Sequence, residues 1–251
     1  MSAAALETRK LCKSFGALEV ARAIDFRLEA GARHALIGPN GAGKTTFVNL
    51  ISGALAPTRG QVLLLGEDVT RLSQAERVKR GLARTFQINQ LFRGLSVLEN
   101  VCMSVSERIG ARPGFLRPIG RRRDVVDEAA ALVAELGLSD DAERLVRELP
   151  YGRQRLVEMA IALGLRPRVL LLDEPTAGVP DGESGVIIDA IDRLPPDISV
   201  LIIEHDMDVV FRFAKRITVL VAGEVLTEGA PAEIAADPRV REVYLGEGVH
   251  G

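Results

Sequence analysis

A chain of 251 residues with 47% apolar side chains can bury one sizeable core, or a core that carries an inserted subdomain, so disorder does not dominate it. A formal net charge of −2 excludes whole-chain electrostatic attraction to nucleic acid, and partners have to be argued from local features. Cys12 and Cys102 lie far apart with no C-x-x-C spacing, so neither a zinc site nor a disulfide framework is suggested. No apolar run approaches the ~20 residues that span a bilayer, so a soluble chain in a reducing compartment is expected, with any membrane role supplied by a partner.

In chain order, the alternation from Leu18 to Leu28 predicts a strand, and Ala35-Leu36-Ile37 predicts a short buried one. Gly38 to Thr46 then reads G-P-N-G-A-G-K-T-T and is followed by a helical pattern predicted through Leu55. Strand, glycine turn and helix in this order make a phosphate cradle. Glycines 38, 41 and 43 let backbone N–H groups converge on phosphate oxygens, beside the positive end of the following helix. Pro39, Asn40, Ala42 and Thr46 complete the nucleotide-binding segment. Lys44 supplies a point charge at the β- and γ-phosphates, and Thr45 a hydroxyl for a phosphate-bound Mg²⁺. Only five lysines occur in the chain, which makes a chance match to this motif remote.

Val62 to Leu65 predicts another strand. Gln87 follows Ala83-Arg84-Thr85-Phe86, and its amide oxygen can reach a cation. Helices are predicted over Val97–Val105, over Val125–Leu136 from apolar positions 125, 126, 129, 132, 133 and 136, and over Arg153–Leu165. Between the first two lies a loop, Ile109 to Arg123, rich in arginine and read as a solvated basic surface. Val169–Leu172 and Val200–Ile203 are continuous apolar runs, as in strands buried on both faces of a parallel sheet. The first ends in Asp173 and Glu174, at the edge where open α/β sheets bind ligands. There Asp173 can hold Mg²⁺ through water, and Glu174 can act as a general base toward water. His205, just past the second run, reaches the same edge and can steady a γ-phosphate or a catalytic water. His34 and His250 have no supporting context. Ile217–Val221 and Glu224–Leu226 form a strand pair around Ala222-Gly223.

With these elements in this order, the chain resembles the ATP-binding subunit of ABC transporters over essentially its whole length. The resemblance implies a two-lobed ABC ATPase of the α/β class. Its P-loop NTPase (RecA-like) core with an antiparallel β subdomain would span 1–87 and 167–251, and an inserted α-helical signature subdomain 88–166. It implies adenine stacking on Phe15, a Walker A loop at Gly38–Thr46, a Walker B strand at Val169–Glu174, and Glu174 and His205 as catalytic residues. Metal contacts would come from Thr45, Gln87 and Asp173, with ATP and Mg²⁺ as cofactors. The signature segment corresponds to Leu149-Pro150-Tyr151-Gly152-Arg153, and Pro150, Tyr151, Gly152, Arg153 and Gln154 would face the ATP of a second subunit. Implied partners are a second copy or a paralogous ATPase subunit (a homodimer or heterodimer), transmembrane permease subunits and, indirectly, a solute-binding protein, but no nucleic acid. The implied location is the cytoplasmic face of the inner (plasma) membrane. Leu91 and Phe92, after Gln87, would line a groove for the permease.

Five local matches point to the ATPase of branched-chain amino acid importers: A-R-T-F-Q at 83–87, L-S-V-L-E-N-V at 95–101, Y-G-R-Q-R-L at 151–156, E-H-D-M at 204–207 and D-P-R-V-R-E-V-Y-L-G from Asp237. Urea or amide importers and the lipopolysaccharide exporter ATPase share much of this pattern. A nucleotide-driven switch module with little turnover is the alternative of another class. Soluble ABC ATPases of DNA repair or translation usually carry long coiled-coil inserts or two nucleotide domains, and neither fits in 251 residues. Two departures stand out. Pro150 replaces the family's signature serine and has neither hydroxyl nor N–H. Ala177-Gly178-Val179-Pro180 replaces its S-A-L-D turn, leaving Asp181 as the nearest carboxylate.

Overall fold

In the computed structural model, which describes residues 4–85, 91–110 and 122–245, the chain begins with a strand that apolar alternation alone does not reveal. This is β1 (Ala4–Phe15), which pairs antiparallel with β2 (Leu18–Glu29). Lys10 takes a left-handed φ of 46°, and the β1–β2 register shifts between Thr8 and Leu11. That bulge moves the inward face by one position, so buried Leu6 and Thr8 are followed by buried Leu11 rather than Lys10. On the other side of β1 lie β4 (Arg59–Leu64) and then β5 (Glu67–Asp68), giving an antiparallel sheet of order β2-β1-β4-β5.

The second sheet has the order β10-β9-β3-β8-β7-β6, with β3 spanning Arg33–Ile37, β6 Leu82–Arg84, β7 Val169–Asp173, β8 Ser199–Ile203, β9 Arg216–Val221 and β10 Glu224–Gly229. Strands β7, β8, β3 and β9 run parallel, and β10 closes the end as an antiparallel hairpin partner of β9. Val169–Leu172 and Val200–Ile203 are sealed from solvent, as their unbroken apolar runs require.

The described residues of Met1–Leu82, Arg168–Glu174 and Pro195–Gly251 form one compact unit. It contains α1 (Lys44–Ser52), α2 (Gln74–Lys79), α7 (Met207–Phe213), α8 (Pro231–Ala236) and α9 (Pro238–Leu245). Its core joins Phe47, Leu50 and Ile51 of α1 to Leu6, Phe26, Leu28, Leu171, Leu201 and Ile203. The Phe26 and Phe47 rings meet edge to face at 5.4 Å. Helix α1 stops at Ser52, short of the predicted Leu55, because Gly53 turns left-handed at φ 83°. Buried Arg77 of α2 covers that end, donating to the carbonyls of Leu50 and Ile51 at 2.8 Å and of Thr70 at 3.0 Å. A positive charge at a helix C-terminus offsets the dipole, and a Cβ on Gly53 would stand 2.8 Å from Arg77 Nε.

The described residues of Ala83–Pro167 and Pro175–Leu194 form the second unit, which holds α3 (Val97–Ile109), α4 (Arg123–Glu135), α5 (Tyr151–Gly164) and α6 (Asp181–Asp192). Ser96 and Glu99 close a capping box at the start of α3, which runs on past the predicted Val105. Apolar positions at helical spacing, Val97, Val101 and Val105 on α3 and Val125, Ala129 and Val133 on α4, are buried. Gly164 lets α5 approach α3 closely: a Cβ there would lie 2.3 Å from Ser104 Oγ. Of the predicted basic loop, residues 111–121 lie outside the described residues, while Arg122 is half-buried and donates to Ser106 Oγ. Both cysteines are free and buried, and burial raises the Cys102 thiol to about 11, away from the reactive thiolate. Among the described residues no helix is long and apolar enough to cross a membrane.

His34 proves to be a core residue of the first unit. Its Nε2 pairs with Thr218 Oγ1 at 2.8 Å, Thr218 donates to Glu228 Oε2 at 2.7 Å, and Arg216 Nε donates to Glu228 Oε1 at 2.5 Å, so the network ties β3, β9 and β10 together. Burial depresses the His34 pKa from 6.5 to about 4, against the opposing pull of Glu228. The unfolded chain thus binds a proton at His34 near pH 6.5, which the folded chain refuses until about pH 4. Stability from this group is complete above 6.5 and is lost as pH falls toward 4, up to ~3 kcal/mol. Denaturant unfolding at pH 7.5 and pH 4.5 should show the wild type losing about 2 kcal/mol more than His34→Gln; equal losses would contradict this role.

Candidate nucleotide-binding site

Register brings the phosphate loop and the carboxylates to one edge. Leu36 of β3 and Asp173 of β7 both align with Ile203 of β8, so all three strands end level. The Gly38–Thr46 loop, Glu174 and His205 therefore leave the same carboxyl edge of the parallel strands in the first unit, where open α/β sheets place ligands.

The loop is shaped by close backbone packing. Gly38 has φ 156°, and a Cβ there would fall 2.1 Å from the Leu220 carbonyl oxygen of β9. Gly43, at φ 99°, is the N-cap of α1, and a Cβ on it would stand 3.0 Å from the Val20 carbonyl of β2. The Ala42 carbonyl accepts from Gly223 N–H at 2.9 Å, so the β9–β10 turn clamps the loop. Gly41 faces open space and is required only for its φ of 76°. Lys44 Nζ donates to the carbonyls of Gly38 and Pro39, the latter at 3.0 Å, which holds the ammonium over the loop. Asn40 and Thr45 are exposed and Thr46 is half-buried. No acid sits in the first turn of α1, leaving its positive end to an anion.

Asp173 ends β7 half-buried. Glu174 follows in the left-handed region at φ 46°, held there by its N–H on the Ile203 carbonyl at 2.9 Å. For a side chain other than glycine this conformation costs about 1 kcal/mol or more, and such strain clusters where a side chain must be aimed. Glu204 is fully buried and its Oε2 accepts from His205 N–H at 3.1 Å. His205 itself is 64% exposed, with Nδ1 3.7 Å from the same oxygen, so it is presented outward with a carboxylate behind it. Phe15 ends β1 half-exposed, with Lys13 Nζ 5.0 Å from the ring centre, a face open to stacking. Gln87 lies outside the described residues.

The signature residues belong to the second unit. Pro150 is the N-cap of α5 and makes no side-chain capping bond. Tyr151 is 37% exposed. Arg153 and Gln154 are engaged internally. Arg153 Nη1 donates to the Gly137 carbonyl at 2.6 Å and lies 3.4 Å from Asp141, while buried Gln154 donates to the Leu149 carbonyl at 2.8 Å. These two side chains brace the helix start. Sequence alone gave no warning of buried Arg155 and Glu158, paired at 2.9 Å; burial pushes Glu158 up to about 7, against the Arg155 hydrogen bond. Leu91 is buried and only Phe92 is exposed, its backbone clamped by the Asn100 side chain.

A small, hard cation suits the donors at the sheet edge. Thr45 offers an exposed hydroxyl and Asp173 a carboxylate, and no cluster of three or more His, Cys, Asp or Glu exists among the described residues to form an all-protein cage. That is the donor set of Mg²⁺ carried on substrate phosphates.

A parallel sheet, a glycine loop closing on a lysine and a helix start, and a strained carboxylate just past the end of β7 define a P-loop nucleoside-triphosphatase of the two-lobed α/β kind. The family model for the ABC transporter matches residues 21–177, and that for the branched-chain amino acid ATP-binding cassette transporter matches 224–250. The chain belongs to the ABC transporter family. It is 35% identical over 254 residues to the high-affinity branched-chain amino acid transport ATP-binding protein BraF of Pseudomonas aeruginosa, covering 98% of this chain and 100% of BraF. The values for LivG of Escherichia coli K12, described in the same words, are the same. Among solved structures, the ADP conformation of MJ1267, an ATP-binding cassette of an ABC transporter, matches with 31% identity and a TM-score of 0.85, covering 97% of this chain and 99% of that one.

Proposed function

We propose that this chain is the ATP-binding and hydrolysing subunit of an importer for branched-chain amino acids. The observation that carries the cargo class is the match at 224–250, a segment outside the phosphate chemistry, joined to chain-long identity with BraF and LivG. The phosphates of ATP lie in the N–H groups of Gly38–Thr46 with Lys44 beside them, and the adenine stacks on Phe15. Thr45 and Asp173 would hold Mg²⁺, joined by Gln87 as the resemblance implies, and the ion would neutralise phosphate charge. Glu174 orients and deprotonates the attacking water, and His205 donates toward the γ-phosphate. Two copies, or this chain and a paralogue, pair so that each ATP meets the other chain's α5 start. With Pro150 in the serine's place, the backbone N–H groups of 151–153 provide that contact. Glu174 argues against a switch module with little turnover.

The pair attaches to permease subunits at the cytoplasmic face of the membrane, and Phe92 is the exposed apolar contact toward them. Affinity purification of the tagged chain from membranes should recover two transmembrane permease subunits, and deleting its gene should abolish leucine, isoleucine and valine uptake. Recovery of permeases that carry urea, or loss of lipopolysaccharide export instead, would overturn the cargo.

A further inference from the structure

The second unit buries a cation that the ATP chemistry above does not use. Arg155 of α5 is 7% exposed, and its guanidinium branches. Nη1 donates to Glu158 Oε2 at 2.9 Å, while Nη2 reaches the Tyr151 hydroxyl at 3.2 Å and the Ala177 carbonyl at 3.5 Å. The guanidinium also sits 5.3 Å from the centre of the Tyr151 ring. Arg155 Nε and Glu158 Oε1 are buried without hydrogen-bond partners. A dry ion pair with an orphaned donor and acceptor is a poor way to stabilise a helix, and apolar residues of similar volume would do as well or better.

Placement supplies a reason for it. The fork joins the first residue of α5 to the turn that follows Asp173 and Glu174. In that turn Gly178 has φ 73°, and a Cβ on it would stand 3.4 Å from the Tyr151 hydroxyl. Pro150 and Pro180, at the starts of α5 and α6, make no side-chain capping bonds. Through Arg155 a side-chain link runs between the α5 start and the 177–178 turn.

We propose that Arg155 is a positioning residue that locks Pro150–Gly152 and the Ala177–Gly178 turn into one rigid element, presented as a unit to the ATP held by the partner copy. The inference rests on the two-copy reading above. Helix N–H groups stabilise developing phosphate charge only when held in place beforehand, and small misplacements are expensive in rate.

Arg155→Lys is the informative substitution. Lysine keeps a charge against Glu158 but offers one nitrogen in place of a fork, so it cannot also hold Tyr151 and Ala177. Two heterodimers, each purified through two different tags, separate positioning from damage to the fold. The first pairs an Arg155→Lys chain with a Glu174→Gln chain, so the one hydrolysing site faces an intact Arg155. The second pairs the wild-type chain with an Arg155→Lys/Glu174→Gln chain, so the hydrolysing site faces the altered element. Phosphate release in the first should equal that of wild type paired with Glu174→Gln, and kcat in the second should be about tenfold lower. Equal rates in the two arrangements, both reduced or both unreduced, overturn the inference while leaving the two-copy reading intact. Absence of an ATP-dependent dimer of Glu174→Gln in sedimentation overturns both.

Discussion

Glu174→Gln should lower kcat for ATP hydrolysis by on the order of a hundredfold to a thousandfold while leaving ATP affinity within a factor of about three. The amide keeps the size and reach of the side chain but cannot take a proton from water. In the proposed function, nucleotide binding rests on the loop at Gly38–Thr46, which the substitution does not touch. The backbone supplies a second arm to the experiment. Glu174 stands at φ 46°, a conformation that glycine adopts freely. Glu174→Gly should therefore raise stability by about 1 kcal/mol and still abolish hydrolysis. A protein that becomes more stable as it loses activity marks a residue retained for chemistry. If Glu174→Gln hydrolyses ATP at the wild-type rate, the carboxylate is not the base; if Glu174→Gly is destabilised, the left-handed conformation at 174 stores no strain.

Gly38→Ala should cost roughly 4 kcal/mol of stability and abolish nucleotide binding, because the added Cβ would fall 2.1 Å from the Leu220 carbonyl and 3.1 Å from the Ala42 side chain. No rotamer relieves that clash, since the obstacle is the backbone of β9 at buried Leu220. Relief requires β3 and β9 to part or the loop to lift off β9. Gly41→Ala is the matched control. Its Cβ would meet nothing within 4 Å, so only the left-handed φ of 76° is penalised, at about 1 kcal/mol. Thermal unfolding with and without ATP distinguishes the two: Gly38→Ala should lose the stabilisation by ATP, and Gly41→Ala should keep most of it. Comparable losses in both would mean that conformational freedom, not proximity to Leu220, is what the loop requires.

The residues that chemistry dictates were the easiest to read from sequence. Gly38–Thr46 and Val169–Glu174 are contiguous, and each function requires particular residue types at fixed spacing, so turn, helix start and strand end were all recognisable. The β9–β10 pair was equally plain, with two apolar runs flanking Ala222-Gly223. What remained hidden depends on distant partners or broken periodicity. The Lys10 bulge shifts β1 out of alternation, and Gly53 with Arg77 ends α1 early through a contact made 24 residues away in sequence. His34 looked like an isolated histidine, because its partners Thr218 and Glu228 come from the far end of the chain. Arg155 drew no reading of its own, because a helical pattern does not show that α5 is buried on nearly every side. Arg153 and Gln154 show the converse. Motif resemblance places them toward a second copy's ATP, and the structure adds that their side chains brace the start of α5.

If ATP hydrolysis at Glu174 drives import of branched-chain amino acids, phosphate release by the chain assembled with its permease subunits in lipid vesicles will follow the cargo. Leucine presented on the solute-binding protein should stimulate release severalfold, and Glu174→Gln in the same assembly should remove both the stimulated and the basal rate. Stimulation by urea but not by leucine, or an undiminished rate with Glu174→Gln, would show that this site does not drive branched-chain amino acid import.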